Sequence, residues 1–413
     1  MGKNIVLLLD GTGNGITERR TNILRLYGTL VKSEDQLVWY DPGVGSFGGD
    51  DPLRLVPPNW RETVQQGTGA GMHQNVREAY RFLVETYQPG DRIHLQGFSR
   101  GAYSARVLAG FLYAFGLMEP RNLNLLDYVY RAYRSVDESP DLRDAREHRD
   151  REGPLAAINL HRRALRPREV EVASMGLFDT VASMIERKGW VRYGVRLHAF
   201  THENPGVRKL RHAMAIDERR VMFRPRLWGS QGMRDLELSA RTWRDVKEEW
   251  FAGVHRDVGG GRDSEEDSQL GKVPLAWMID ELRHEDLIFD DALVQLLVQG
   301  EGPGAVRDGE RIYYAPDATR RLDLSKLGGL EWMEWVPFLR TGKGIGGGAP
   351  GRKLLGLPLP GGARREIPED AVIHPSVFER MAAGLGYDPQ NLPAPAREAY
   401  RSWKAARDAA PAG

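Results

Sequence analysis

The sequence predicts an α/β fold in which helices cover both faces of a mostly parallel sheet. A short continuous run of apolar residues, typical of a strand that is buried on both faces, occurs at 5–9, and further strands are predicted at 92–96 and 170–177. Apolar residues spaced three and four apart, typical of helices, occur between them at 21–32 and 72–87. Strands and helices that alternate in this way along a chain favour parallel strands joined by helical crossovers.

The N-terminal part supplies the first three strands. The run at 5–9 is closed by Asp-Gly-Thr-Gly-Asn-Gly, which predicts a tight turn, and 37–40 is a short second strand. A small-residue loop at 67–71 leads into the next helix, and Pro-Gly-Asp at 89–91 predicts the turn into the third strand. The helix at 102–117 is mostly apolar but shorter than the ~20 residues that cross a membrane, so we expect it to be buried.

Beyond residue 120 the pattern is less regular. The segment 121–168 is dense in charge over 130–152, above all at 141–152, which predicts solvated helices inserted between two strands. Apolar spacing then predicts a strand at 195–200 and helices at 207–215, 273–282 and 287–297.

Composition excludes several classes of protein. In a chain of 413 residues, 58 Lys and Arg nearly balance 57 Asp and Glu, so no global field attracts nucleic acid. The absence of cysteine excludes disulfides, thiolate metal sites and a Cys nucleophile. The sequence has neither a His-Glu-x-x-His motif nor a phosphate-loop motif, so we expect no metal and no organic cofactor. The apolar run at 5–9 is too short for a signal peptide, so we expect a cytoplasmic protein, or one exported without a signal.

The segment 97–101, Gly-Phe-Ser-Arg-Gly, lies between a predicted strand and a predicted helix. This is the context of the nucleophile elbow of α/β-hydrolases, in which a sharp turn exposes a serine Oγ. The flanking glycines let the helix and a neighbouring strand approach closely. We therefore predict an α/β-hydrolase-like fold with Ser99 as nucleophile. The alternative is a serine that only caps the helix.

A serine nucleophile needs a base and a carboxylate that orients the base, in the chain order Ser, Asp or Glu, His. Asp179 follows the predicted strand at 170–177, where this fold presents the acid of a triad. Its alternative role is to cap a helix at 180–186. Asp257 is a second candidate, either as the orienting acid or as a supporting partner, because it lies two residues after His255.

His255 is the predicted base. It follows an apolar run at 250–254 and precedes a glycine-rich turn, as expected for a histidine that a loop delivers to a site. His202 and His212 are the alternatives, and the position of His212 in a predicted helix favours a packing role for it.

The turn after the first strand is the predicted oxyanion hole. The backbone N–H groups of Gly11 and Thr12, with that of Arg100, would surround a developing oxyanion. We expect Asp10 to support this loop. The same Asp-Gly-Thr turn also suits a phosphate or nucleotide site, although the chain lacks the phosphate-loop lysine.

We expect three regions: a catalytic domain over 1–300, an extension over 301–393 that packs on it, and a frayed tail over 394–413. The insertion at 121–168 is the predicted lid of the catalytic domain, because an insertion after the nucleophile helix can fold over the carboxyl ends of the strands. Its charged stretch would face water, and its apolar residues would face an acyl group: Leu125, Leu126, Tyr128, Val129 and Tyr130.

Several motifs taken together resemble one known family, the α/β-hydrolase domain family DUF2235, to which a branch of the type VI secretion phospholipase effectors belongs. The motifs extend from residue 9 to about 393 and comprise DGTGN at 10–14, YDPGVG at 40–45, GFSRGAY at 97–103, GLFDTV at 176–181, HAMAIDER at 212–219, GVHRDVGGG at 253–261 and HPSV at 374–377. The resemblance implies an esterase or phospholipase with Ser99 as nucleophile, and it supports Asp179 and His255. Asp10 and Asp257 also belong to these motifs.

The resulting hypothesis is a serine hydrolase of carboxylic esters, with an ester or lipid as substrate. The resemblance adds a secretion adaptor or an immunity protein as partner classes. The alternatives are an inactive hydrolase fold that serves as a binding module or secreted cargo, a phosphate-binding enzyme, and a peripheral membrane protein. The last would use Trp332, Trp335 and Phe338, whose helical spacing otherwise indicates core.

Overall fold

The computed structural model of the chain describes residues 2–11, 20–43, 70–138, 142, 153–181, 185–187, 193–195, 197–220, 223–229, 245–262, 264–299, 305–308, 311–314, 316–320, 353–354, 357–358 and 364–409. Thr12, the aromatic residues at 332–338 and most of the charged stretch of the insertion lie outside these residues.

Strands and helices alternate through most of this part of the chain. The strands are β1 (Asn4–Leu9), β2 (Gln36–Asp41), β3 (Arg92–Phe98), β4 (Val172–Phe178), β5 (Ile185–Arg187), β6 (Tyr193–Val195), β7 (Lys209–Ala215), β8 (Asp245–Phe251), β9 (Ala305–Asp308), β10 (Arg311–Tyr314), β11 (Lys353–Leu354), β12 (Leu357–Pro358) and β13 (Val372–Ile373). The α-helices are α1 (Asn22–Thr29), α2 (Ala70–Thr86), α3 (Arg100–Ala114), α4 (Leu126–Arg134), α5 (Ala156–Leu165), α6 (His255–Gly259), α7 (Gln269–Arg283), α8 (Asp291–Val294), α9 (Pro375–Ala382) and α10 (Ala394–Ala409).

Seven strands form one parallel sheet in the order β13-β8-β7-β4-β3-β1-β2. The chain runs outward from β1 to β2, then returns to the other side of β1 with β3 and continues towards the opposite edge. The strand order therefore reverses between β1 and β3. In open parallel sheets, ligands bind in the crevice beyond the carboxyl ends of the strands at such a reversal.

Alternate side chains of the central strands point to two separate cores. Ile5, Leu7 and Leu9 pack in a cluster with α2, α3 and the insertion, whereas Val6 and Leu8 pack in a cluster with α1 and α7. All five are at most 1% exposed. Helices on both faces explain why β1 is a continuous apolar run instead of an alternating one. The predicted α/β fold with a parallel sheet is confirmed.

The C-terminal part of the chain joins the edge of this sheet. β13 pairs in parallel with β8, and a third core cluster forms there from Trp250, Val377 and Phe378, among others. The tail that we expected to be frayed is the helix α10, because Tyr400 and Trp403 pack against this cluster. The division of the chain into regions at residues 300 and 393 stays a prediction.

Three expectations for the middle of the chain are wrong. Residues 207–215 contain the strand β7 rather than a helix, because almost every residue of β7 is buried and such a run carries no periodicity that separates the two structures. The predicted strand at 195–200 ends instead at Val195, and Ala199 and Phe200 form a turn. The predicted helix at 180–186 is absent from the described residues there, where β5 begins at Ile185.

The described residues of the insertion are mostly helical, but its apolar residues do not face an open site. Leu126, Val129 and Tyr130 are at most 3% exposed and pack in the same core cluster as α2 and α3. Leu125 is half-buried and Tyr128 is 62% exposed. The expectation that this set lines an acyl pocket is therefore wrong for the three core residues, since the amphipathic face of α4 is needed to cover α3. A lid formed by other parts of the insertion stays a prediction.

The first testable consequence concerns the packing of α3 on the end of β1. A Cβ at Gly101 would lie 2.0 Å from the carbonyl oxygen of Leu9. Gly101→Ala should therefore displace α3 and lower the free energy of unfolding by at least about 2 kcal/mol. Urea denaturation measures this change.

Gly271 in α7 is the matched control, because a Cβ there would meet no atom closer than 3.4 Å. Gly271→Ala should leave stability unchanged or raise it by up to about 1 kcal/mol. Equal urea midpoints for Gly101→Ala and the wild type would contradict the close approach.

Candidate active site

Ser99 occupies a strained turn between β3 and α3. Its backbone angles are φ 57° and ψ −120°, in a region that residues other than glycine rarely adopt. Two glycines make the turn possible, because a Cβ at Gly97 would lie 2.6 Å from the Cα of Ala102, and Gly101 abuts β1. The strained turn leaves the Ser99 side chain at the carboxyl edge of the sheet, beside the reversal in strand order.

The imidazole of His255 lies within hydrogen-bond distance of both Ser99 and Asp179. The Oγ atom of Ser99 is 2.8 Å from Nε2 of His255, and Nδ1 of His255 is 2.6 Å from Oδ2 of Asp179. These residues are 76 and 156 positions apart from His255 in the chain. The fold thus brings together the three residues that the sequence pattern singled out.

The turn that carries Asp179 is attached directly to the turn that carries Ser99. The N–H of Ser99 donates to the carbonyl of Phe178 (3.0 Å), and the N–H of Val181 donates to the carbonyl of Ser99 (3.4 Å). Asp179 itself has φ 41°, and its N–H donates to the carbonyl of Ala213 in β7 (2.7 Å). The separation of the two side chains is therefore set by backbone hydrogen bonds.

The Asp179 carboxylate is completely buried and accepts several hydrogen bonds. Oδ1 accepts from the N–H of Ala215 (3.0 Å), and the guanidinium of Arg365 donates to both oxygens (2.5 and 2.9 Å). Burial alone would raise the pKa of Asp179, but Arg365 and the hydrogen bond from His255 hold this pKa below its ordinary value. Asp179 is therefore ionised at neutral pH.

His255 is the first residue of the short helix α6. The residue is 5% exposed, and its imidazole lies between two aromatic rings, with centroid distances of 4.7 Å to both Phe98 and Phe223. Its backbone N–H donates to Oε2 of Glu218 (3.2 Å). Burial lowers the pKa of His255, and the hydrogen bond that its Nδ1–H donates to Asp179 opposes this shift without reversing it. The imidazole is therefore neutral at pH 7, with Nε2 able to accept a proton.

The alternative histidine, His212, contacts the backbone next to Asp179. It lies in β7, and its Nε2 accepts the N–H of Thr180 (3.2 Å), while Nδ1 is 2.9 Å from Oε1 of Glu248. It thus holds the turn that carries Asp179. The other alternative, His202, is bound through its backbone to Glu138 and Gly229.

Asp257 and Asp10 have structural partners. Asp257 accepts the N–H of Val254 (2.9 Å) and pairs with Arg262 (2.7 Å), so it caps α6 and ties it to the following loop. The carboxylate of Asp10 accepts hydrogen bonds from the N–H of Gly11 (2.6 Å) and from the hydroxyl groups of Thr21 and Tyr40 (2.5 and 3.0 Å). It thereby joins the end of β1 to the start of α1 and to β2.

The predicted oxyanion hole is only partly described. The N–H of Gly11 donates to Asp10 in this structure, so its use as an oxyanion donor requires that this hydrogen bond be shared. Arg100 is the first residue of α3, where a backbone N–H has no partner within the helix. Thr12 lies outside the described residues. All three donors stay predictions.

Sequence reasoning missed Arg365 and Glu218. Glu218 accepts the N–H groups of residues 219 and 220 and pairs with the Arg220 side chain (2.8 Å). Arg365 stands in an irregular Gly/Pro-rich part of the sequence without a motif. The signal that could have found it is the short apolar pair that forms β13, because that strand brings the segment to the edge of the sheet.

Two further features of the described residues bear on function. They contain no group of three or more His, Asp or Glu side chains arranged to hold a metal ion. None of the helices among them is both long and apolar enough to cross a lipid bilayer.

Parts of this chain are similar to known proteins. A yeast protein of Saccharomyces cerevisiae, described as uncharacterized, is 32% identical over 230 residues, which are 54% of this chain. The chain spans about a third (32%) of the length of that curated relative. A crystal structure of an uncharacterized protein from Pseudomonas aeruginosa aligns with a TM-score of 0.38 at 18% identity, covering 70% of this chain and 46% of the other.

The family model for the type VI secretion system (T6SS) phospholipase effector Tle1-like catalytic domain matches residues 3–281. The matched segment is about two thirds of the chain and includes Ser99, Asp179 and His255. The chain therefore belongs to the Tle1-like phospholipase effector family, the family that its motifs resemble.

Proposed function

We propose that this protein is a serine hydrolase that cleaves carboxylic esters of lipids. The single observation that carries the proposal is the continuous hydrogen-bonded chain from Ser99 through His255 to Asp179, with distances of 2.8 and 2.6 Å. A nucleophile, a neutral base and an ionised carboxylate in this order are the arrangement that acyl transfer requires. Membership of a phospholipase effector family supports a lipid as the acyl donor.

The first half of the reaction forms an acyl-enzyme. Ser99 Oγ attacks the ester carbon while Nε2 of His255 takes the hydroxyl proton, and Asp179 stabilises the resulting imidazolium. Collapse of the tetrahedral intermediate breaks the bond between the acyl carbon and the alcohol oxygen. The proton on His255 passes to that oxygen, and the alcohol leaves.

The second half regenerates the enzyme. His255 takes a proton from a water molecule, whose oxygen attacks the acyl carbon, and the bond to Ser99 Oγ breaks as Ser99 regains its proton. The products are one alcohol and one carboxylic acid. The N-terminus of α3 lies beside Ser99, where its partial positive charge stabilises the oxyanion in both halves.

The phosphate-site alternative has less support than the hydrolase. The N–H of Gly11 donates to Asp10, which weighs equally on a phosphate cradle and on the oxyanion hole, but the chain lacks the phosphate-loop lysine. The inactive-module alternative has no specific support, since the three candidate residues are all present and connected. Delivery by a secretion system, an adaptor and an immunity partner stay hypotheses that rest on the family alone.

The nucleophile assignment predicts the result of Ser99→Ala. Hydrolysis of p-nitrophenyl esters should fall by at least ~10³-fold in kcat, because the attacking oxygen is lost. Covalent labelling by a fluorophosphonate probe should disappear as well. The melting temperature should not fall, since the side chain of Ser99 is partly exposed and the strained turn persists. Ser104 in α3 is the matched control, and Ser104→Ala should keep both activities. Normal turnover by Ser99→Ala would overturn the assignment.

Two carboxylates can be ranked by the same assay. Asp179→Asn should lower kcat on the order of 10⁴-fold, because an amide favours the wrong tautomer of His255. Asp257→Asn should cost much less, since Asp257 pairs with Arg262 and the N–H of Val254. Circular dichroism checks that both variants are folded. The opposite ranking would move the orienting role to Asp257.

The pH profile depends on the protonation of His255. The base acts only when neutral, so activity rises with pH through the pKa of this imidazole. Burial lowers that pKa below the ordinary 6.5. We therefore expect the acid limb of kcat/KM, measured with an ester that does not titrate, to have its midpoint below pH 6.5. A midpoint above 6.5 would contradict a buried neutral base.

A further inference from the structure

The carboxylate of Asp179 forms a bidentate ion pair with Arg365. Nη1 of Arg365 is 2.5 Å from Oδ1 of Asp179, and Nη2 is 2.9 Å from Oδ2. The same guanidinium donates to the carbonyl of Ala215 (2.8 Å) and to the carbonyl of Phe223. Arg365 is 4% exposed and Asp179 is completely buried, so water does not compete for these hydrogen bonds. Planar bidentate pairing of this kind fixes the orientation of a carboxylate.

Arg365 comes from a part of the chain that the family model does not match. The match ends at residue 281, whereas Arg365 precedes β13. Two anchors hold this segment in place. β13 pairs with β8, the strand that leads to His255, and the side chain of Asn391 donates to the carbonyls of Arg365 and Ile216 (both 3.1 Å).

We infer that Arg365 is a positioning residue of the proposed triad: it fixes the Asp179 carboxylate and balances its charge, so that the C-terminal segment completes the active site. This inference rests on the function proposed above.

The hydrogen bonds of Asp179 explain the positioning effect. Oδ2 is shared between Nδ1 of His255 and Arg365, and Oδ1 is shared between the N–H of Ala215 and Arg365. A carboxylate offers about four acceptor positions, and these four donors occupy them. Rotation of the carboxylate away from His255 would therefore break at least two charge-assisted hydrogen bonds.

The charge of Arg365 has a separate effect on His255. A lone carboxylate in a buried site would strongly stabilise the imidazolium and keep the base protonated. Arg365 opposes this effect through Asp179, whose negative charge it balances. Two other charged groups act on the imidazole itself, since Arg220 lowers the pKa of His255 and Glu218 raises it. Glu218, which faces the backbone of His255, pairs with Arg220, and burial lowers the pKa of His212, which lies behind the Asp179 turn.

The test compares two substitutions of Arg365 with a matched control. Arg365→Gln removes the charge, and Arg365→Lys keeps it without the bidentate geometry. Arg380 is the control, because it is a 3% exposed arginine of the same C-terminal region whose guanidinium donates to the carbonyls of Ala318 and Arg320 (2.7 and 2.6 Å). Ester hydrolysis and the rate of fluorophosphonate labelling are measured from pH 4 to 9 for the full chain, with melting temperatures.

Arg365→Gln should lose on the order of 10²-fold in kcat/KM, and the acid limb of its profile should move to higher pH. The direction follows because an uncompensated carboxylate favours the protonated imidazole, and because Asp179 itself then protonates more readily. Arg365→Lys should lose about 10-fold and keep the midpoint of the wild type. Arg380→Gln should lower the melting temperature without moving the pH midpoint.

A pH midpoint that is the same in Arg365→Gln and the wild type would overturn the inference, even if the variant melts earlier, because a purely structural role predicts that result. If Arg365→Gln does not fold, the test is a comparison of Arg365→Lys with Arg380→Lys. Equal losses of kcat/KM in these two variants would overturn the inference. A larger loss in Arg365→Lys, at an unchanged pH midpoint, would support it. If the wild type neither hydrolyses esters nor reacts with the fluorophosphonate probe, the proposed function itself fails. That result differs from the failure of this inference alone, in which the wild type is active and Arg365→Gln has the same activity and pH midpoint.

Discussion

A carboxylate buried at the end of β4 is the constraint on which the rest of the site depends. Removal of Asp179 from water is tolerable only if every lone pair finds a donor and the charge finds a partner. The donors come from three different parts of the chain: the end of β7, the start of α6 and the segment before β13. The seven-stranded sheet is the frame that brings these parts to one point. The fold and the ionisation of one side chain are thus coupled.

The same edge of the sheet also carries the strain that the chemistry uses. Ser99 keeps φ 57° because β1 and β4 hold the turn from both sides: Gly101 packs on the carbonyl of Leu9, and the Ser99 backbone bonds to the turn around Asp179. A conformation of this kind costs about 1–3 kcal/mol, and it persists where surrounding contacts determine it. The reversal of strand order at β1 and β3 leaves the crevice above this turn uncovered by a crossover helix.

The sequence predicted the parts of this structure that depend on local patterns. The buried run of β1 and the Gly-x-Ser-x-Gly turn are local features. The motifs that contain Ser99, Asp179 and His255 are each local as well, and the structure places the three side chains in one hydrogen-bonded chain. β7 was mistaken for a helix because a strand buried on both faces has no period. Arg365 was missed because its role depends on long-range pairing of β13 with β8, to which the sequence gives only a two-residue signal.

Two buried aspartates at the ends of the strands on either side of β3 show why residue type and position alone cannot assign chemistry. Asp10 follows β1 and Asp179 follows β4, and both are at most 3% exposed. The donors to Asp10 include a backbone N–H and two hydroxyl groups, and these contacts hold a loop in place. One donor to Asp179 is an imidazole whose other nitrogen contacts a serine Oγ, so a change in the charge of that ring is felt directly by the carboxylate. The difference that matters is therefore whether a partner of the carboxylate can itself gain and lose a proton.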